Sequence, residues 1–192
     1  MPWEGAGDPI TKPEAERLFA ACGGLSPWDR RSNWRWSLVF KGLWYTGFRV
    51  TELVQLVPPD VGLGEIEFIP VKTKDRRSMK QTVPDDYTTE LRAFIDHYRI
   101  AGRRPIFGVG ARRVRQVLDQ VGPLAGIKRP LHPHLFRHGA AHDLASKIRG
   151  SAGEVSMLKA ALHHKGKGSQ ALERYLQPTP AELADAIRKR WE

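Results

Sequence analysis

A chain of 192 residues, 41% of them hydrophobic, is long enough to bury a proper core as one domain with room for a small appendage, which excludes a disordered tail. No apolar run approaches the roughly 18 residues of a membrane-spanning helix, and Met1-Pro2-Trp3-Glu4-Gly5 lacks the basic and apolar regions of a secretory signal, so a cytoplasmic location is expected. The net charge of +10, from 31 Lys and Arg against 21 Asp and Glu, favours a polyanionic partner, and a single cysteine, Cys22, excludes an internal disulfide.

Residues 1–10 are punctuated by glycine and proline and read as an N-terminal arm or linker. Thr11-Lys12-Pro13-Glu14 has capping-box spacing, which predicts a helix running to about Ala21, with Gly23 past its end. Trp36, Val39, Phe40, Leu43 and Trp44 recur at helical spacing and predict a second helix over about 33–45. Gly47 permits a break, after which Arg49 to Leu56 is expected to form a short helix ended by Pro58-Pro59. The period then changes. Ile66, Phe68 and Val71 lie in a β-prone run, a polar tract covers 72–77, and Met79 to Val83 reads as a return strand, giving a hairpin that Pro84 closes. Further helices are predicted over about 86–99, 111–121, 133–147, 154–163 and 169–176. Thr179-Pro180-Ala181-Glu182 repeats the capping-box spacing and starts a C-terminal helix over about 180–190. The expected fold class is mainly α with a small antiparallel β-sheet (α+β), without internal repeats or low-complexity tracts.

Four blocks carry the chemistry: Thr46-Gly47-Phe48-Arg49-Val50-Thr51-Glu52-Leu53, His134-Leu135-Phe136-Arg137-His138, Leu162-His163-His164-Lys165 and Glu173-Arg174-Tyr175-Leu176. A phosphate between two guanidiniums, with a phenol in line and no metal-ligand carboxylates, suits a tyrosine that attacks DNA. Such transfer needs the non-bridging oxygens neutralised, the nucleophile deprotonated and the leaving 5′-oxygen protonated. Arginine suits the first task because its planar fork donates twice to phosphate and never deprotonates, which selects Arg49 and Arg137. Glu52 lies one helical turn after Arg49 on the same face, either orienting it by a salt bridge or cap, or forming a plain surface pair. His134 precedes Arg137 by three residues, so a helix beginning near Pro133 presents both to one site. His132, His134, His138 and His142 include i,i+4 pairs of the kind that ligate zinc, but apart from Asp143 no cysteine or carboxylate cluster accompanies them, and no metal is expected.

Taken together, these blocks resemble the catalytic domain of the tyrosine recombinases, or phage integrase family, over roughly Thr11 to Leu176. There are two departures. The family usually has glycine where His163 stands, and the stretch from His164 to Tyr175 is longer than usual, with Lys165-Gly166-Lys167-Gly168 as the insertion. The resemblance implies that Tyr175 is the nucleophile and that Arg49, Arg137 and His164 contact the phosphate, with His163 the alternative to His164. It implies that His134 supports proton transfer at the tyrosine or donates to the phosphate, with His138 and Glu52 in support. It also implies a general-acid lysine in the hairpin tip: Lys72 best matches the family position, and Lys74 points to the same side two residues on.

The domain organisation expected is an arm over 1–10, a catalytic domain over 11–178 and a C-terminal helix over 179–192 that docks in cis or in trans. A helical DNA-clamping domain usually precedes the catalytic domain in this family, so the chain reads either as a minimal protein or as an excised domain. The function expected is site-specific DNA recombination or integration, for a mobile element or a chromosome, through a 3′-phosphotyrosyl intermediate without metal, ATP or other cofactor. Double-stranded DNA is the expected partner, with four protomers on two synapsed sites, no membrane and a nucleoid-associated location. Two other readings stay open: type IB topoisomerase-like relaxation of one duplex, and a non-catalytic DNA-binding regulator or remnant.

Overall fold

A computed structural model describes residues 7–25, 32–69, 78–149 and 153–161. Helix α1 (Lys12–Ala21) starts at the expected capping box: the Thr11 hydroxyl accepts from the Glu14 N–H at 3.4 Å, and the Glu14 carboxylate accepts from the Thr11 N–H at 2.9 Å. A 3₁₀ turn over Cys22–Gly24 ends it. Helix α2 (Ser32–Thr46) is the centre of the molecule, with Trp36, Leu38, Val39, Phe40, Leu43 and Trp44 all buried. A helix that is apolar on most of its circumference must be covered on several sides. Here α1, α4 (Asp85–His97) and α6 (His134–Ile148) cover it.

The short helix after Gly47 differs from expectation. It spans only Val50–Leu53 (α3), with Arg49 as its N-cap. After Val54 the bonds tighten to i−3, with the Gln55 N–H donating to Glu52 at 3.4 Å and the Leu56 N–H to Leu53 at 3.3 Å, and Val57 before Pro58 is extended (φ −118°, ψ 159°), leading into a 3₁₀ turn over Pro58–Asp60. The Leu56 carbonyl accepts from the Ile106 N–H at 2.8 Å. The hairpin follows as β1 (Glu65–Phe68) and β2 (Met79–Thr82), antiparallel, with Glu65 opposite Thr82 and Phe68 opposite Met79. Ile66 and Phe68 turn inward while Glu65 pairs with Lys80 at 3.0 Å on the outside, the alternation a half-buried strand requires. The tip carrying Lys72 and Lys74 lies outside the described residues.

Helix α5 (Ala111–Leu124) runs three residues beyond its expected end, carrying Pro123 in its last turn, and packs on α1 and α3. Helix α7 (Glu154–Ala161) is held to α6 by Leu158 against Ala141 and Ala145. The predicted helices over 169–176 and 180–190 fall outside the described residues.

The α2–α6 interface sets the site. Phe40 and Phe136 stack with centroids 5.7 Å apart and planes 3° from parallel. Gly139 lets the two helices close on each other. A Cβ there would strike the Ile10 carbonyl oxygen and sit 2.8 Å from Trp44.

Cys22 is 1% exposed and its thiol donates to the Leu18 carbonyl at 3.2 Å. Burial pushes the thiol from 9.0 up to about 12, only partly opposed by Lys41. The folded chain therefore keeps a proton that the unfolded chain gives up near pH 9. This contribution is intact below pH 9 and is lost as pH rises toward about 12, at roughly 1.4 kcal/mol per pH unit. The stability difference between wild type and Cys22→Ala, from urea midpoints, is thus expected to hold from pH 8 to pH 9 and then shrink steadily to pH 11. An unchanged difference across that range would contradict the assignment.

Candidate active site

The Thr46-Gly47-Phe48-Arg49 sequence works as one joint. The Thr46 hydroxyl donates to the Gly42 carbonyl at 2.6 Å and accepts from the Phe48 N–H at 3.0 Å, closing the end of α2 and starting the next turn. Gly47 takes φ +61°, a left-handed conformation that side chains with a Cβ disfavour. Phe48 is buried against Phe68 of β1, with centroids 3.9 Å apart. The chain is thereby turned so that Arg49 caps α3 and holds its side chain at the surface.

Glu52 fixes Arg49 twice. Its carboxylate accepts from the Arg49 backbone N–H at 2.8 Å and from the guanidinium at 3.0 Å. Glu52 is 2% exposed in its side chain and Arg49 30%, so a buried anion orients a half-exposed cation. Both expected arrangements, cap and salt bridge, are present together. One guanidinium edge is engaged and the rest is available to a ligand.

Arg137 is 7% exposed and donates from Nη1 to the Gly47 carbonyl at 2.5 Å. Through this bond α6 grips the joint two residues before Arg49. His134, at the exposed start of α6, packs edge-on to His138, with ring centroids 4.6 Å apart and planes 81° apart. Among the described residues no group of three or more His, Cys, Asp or Glu is arranged to hold a metal ion.

A cavity of about 220 Å³ joins these elements, lined by Arg49 and its neighbours Phe48, Val50 and Thr51, by His132, Pro133 and His134, and by Arg115 of α5. The structure thus brings Arg49 and His134 to one cavity. Arg137 reaches the same joint from behind, and Glu52 anchors it. Arg115 is an addition that the sequence did not single out, and His132 entered there only as a zinc candidate. A larger cavity of about 510 Å³ is lined by Glu52, Asp60 and Glu67, with Arg103 its only Lys or Arg among the described residues. Burial, then Glu67, holds the Asp60 carboxyl above the usual range against the Val57 N–H and Arg103. An acidic wall repels phosphate, so charge rather than size selects the smaller cavity. His163, His164 and Tyr175 lie outside the described residues, as do Lys72 and Lys74.

The other three tyrosines are placed. Tyr87 is fully buried, donates to the Leu38 carbonyl at 3.2 Å, and has its phenol pushed up by burial. Tyr98 packs among Phe94, His97 and Trp34. Tyr45 is exposed at 36% and its ring meets Tyr87 and Phe19. None of the three lines the cavity that holds Arg49.

A mainly helical domain with one antiparallel hairpin is the fold shared with tyrosine recombinase catalytic domains. Residues 9–181 match the phage integrase family, and the chain belongs to that family. A Sinorhizobium fredii protein bearing the name integrase/recombinase y4rD is 31% identical over 153 residues, covering 71% of this chain and 53% of that protein. Tyrosine recombinase XerD of Listeria innocua is 26% identical over 143 residues, covering 68% and 46% respectively. The chain spans about half the length of these curated relatives. The fold is similar to that of the XerH site-specific recombinase bound to palindromic difH substrate, with TM-score 0.75 and 18% identity over 96% of this chain and 54% of that one. It is also similar to the catalytic domain of bacteriophage HP1 integrase, with TM-score 0.62 and 18% identity over 94% of each chain. No helix among the described residues is long and apolar enough to cross a membrane.

Proposed function

We propose that this chain is the catalytic part of a site-specific DNA recombinase that cuts and rejoins strands through a 3′-phosphotyrosyl intermediate. The observation that carries this reading is the joint itself: Arg49 held by buried Glu52, Arg137 bonded to the Gly47 carbonyl, and His134 on the Arg49 cavity. Two guanidiniums fixed before substrate arrives are the donors a phosphorane needs, because they require no reorganisation as charge develops. The Tyr175 oxygen attacks phosphorus, and the bond to the 5′-oxygen breaks. Lys72, with Lys74 as the alternative, gives that oxygen a proton, while His134 assists removal of the tyrosine proton. His164, or His163 in its place, donates to the non-bridging oxygens. A 5′-hydroxyl of a partner strand then reverses the step. The diester energy is kept in the phosphotyrosyl bond, so rejoining needs no nucleotide. The partner is double-stranded DNA in the cytoplasmic nucleoid, and the working unit is a tetramer on two synapsed sites. The DNA complex described for XerH and the net charge of +10 support the DNA partner.

The test is a nicked duplex from which the 5′-leaving fragment diffuses away, so that rejoining fails and the intermediate accumulates. A denaturant-resistant adduct is expected, mapping to Tyr175 by peptide mass and leaving a free 5′-hydroxyl; chelators should not change its yield. Cleavage that leaves no protein on the 3′ end would overturn the proposal. Exchange between two labelled duplexes, rather than relaxation of one, separates recombination from topoisomerase action.

A further inference from the structure

The cavity of about 220 Å³ holds more positive charge than one phosphodiester calls for. A diester carries a single negative charge, and under the recombinase reading, on which this inference rests, Arg49 and Arg137 already serve it. Yet Arg115 also lines the wall, beside the His132 ring, and among the described residues no carboxylate does. Folding does not account for Arg115. It is exposed on the second turn of α5, whose buried face is made by Val114, Val117 and Leu118. Its guanidinium makes no hydrogen bond or ion pair with the described residues, whereas Arg113 on the same helix is bonded to Gln116 at 3.4 Å. The packing of α5 on α3 carries Arg115 to the Arg49 side of the molecule.

We infer that Arg115 binds a second backbone phosphate of the same DNA strand, next to the one attacked, with His132 as a neighbouring donor. Contacts to phosphate position a strand without reading its sequence. One contact fixes a point on the strand, and two fix its direction as well. Arg115 thereby sets which phosphate lies against the nucleophile and keeps the strand from entering reversed. The planar fork of arginine suits this task, because it takes two oxygens of one phosphate at a defined angle.

The test uses thymidine oligomers, so that no target sequence is needed. Binding of the dinucleotide (one phosphate) and the trinucleotide (two) is titrated by NMR against wild type and Arg115→Ala. Wild type is expected to bind the trinucleotide roughly tenfold more tightly, the scale of one charge-assisted contact. Its log–log salt slope should steepen by about 0.7, the single-strand value for one more phosphate. Arg115→Ala should lose most of that gain, read as the ratio of trinucleotide to dinucleotide affinity within each protein. A trinucleotide with one uncharged methylphosphonate should bind wild type like the dinucleotide, which assigns the gain to charge rather than to the added base. Because Arg115 is exposed and alanine is the best helix former, the variant should melt with wild type. An equal gain in wild type and Arg115→Ala, or no gain in wild type, overturns the inference. Covalent adducts on nicked duplex are scored separately. Adducts without the Arg115-dependent gain remove the second phosphate site alone, and the gain without adducts removes the recombinase chemistry alone.

Discussion

Replacing Tyr175 by phenylalanine should abolish covalent protein–DNA adducts while leaving DNA affinity nearly intact. The substitution removes one oxygen, and affinity rests on lysines and arginines spread over the chain rather than on that hydroxyl. Electrophoresis of labelled nicked duplex under denaturing conditions reads the adduct, and anisotropy at fixed salt reads the affinity. The described tyrosines make poor substitutes. Tyr87 is buried with its hydroxyl committed to Leu38, and Tyr98 is packed among aromatic rings. Adducts that persist in Tyr175→Phe and map to Tyr45, Tyr87 or Tyr98 would overturn the nucleophile assignment.

Removing Arg137 should lower the cleavage rate by roughly 10²–10³, about 3–4 kcal/mol of transition-state stabilisation, the scale for losing one preorganised donor. Stability should fall as well, because Arg137 is 7% exposed and its bond to the Gly47 carbonyl crosses the α6–α2 junction. Arg137→Lys separates the two effects. A lysine reaches one partner at a time as a point charge, so it can restore part of the melting temperature without restoring the rate. A substrate with sulfur at the bridging 5′ position leaves unaided. It should rescue Lys72→Ala but not Arg137→Ala, since only the first has lost a proton donor. Rescue of Lys74→Ala, with Lys72→Ala as wild type, would move the acid role to Lys74. A single-turnover rate in Arg137→Ala within a few-fold of wild type would remove the arginine from the site.

What could be read from the sequence was local. Thr11 and Glu14 stand three residues apart, so the cap on α1 is written in the chain itself, and the Arg49–Glu52 pair is legible for the same reason. The hairpin showed in the alternation of Ile66 and Phe68 with polar neighbours. The early end of α3 was not legible, because the segment after it is tied through the Leu56 carbonyl to Ile106, fifty residues further on. Arg115 was hidden for a similar reason. It is one of 31 basic residues and gains meaning only when α5 packs on α3. The bond from Arg137 to Gly47 could not be foreseen either, since a backbone carbonyl carries no sequence signal and its aim comes from the left-handed turn at Gly47.

Arg137 and Gly47 are 90 residues apart in the chain, and closing a loop of that length costs about 4 kcal/mol of entropy beyond a constant. The stacking of Phe40 on Phe136 and the close approach of Trp44 at Gly139 offset that cost, and both come from α6 docking on α2. A nascent chain leaving the ribosome therefore has no aligned pair of guanidiniums until α6 has been made and seated. Shorter products still carry basic residues and are drawn to nucleic acid, but they lack the geometry to cut it. Under the proposed chemistry, a copy that stops before α6 lacks Arg137 and cannot assemble the pair that strand breakage needs.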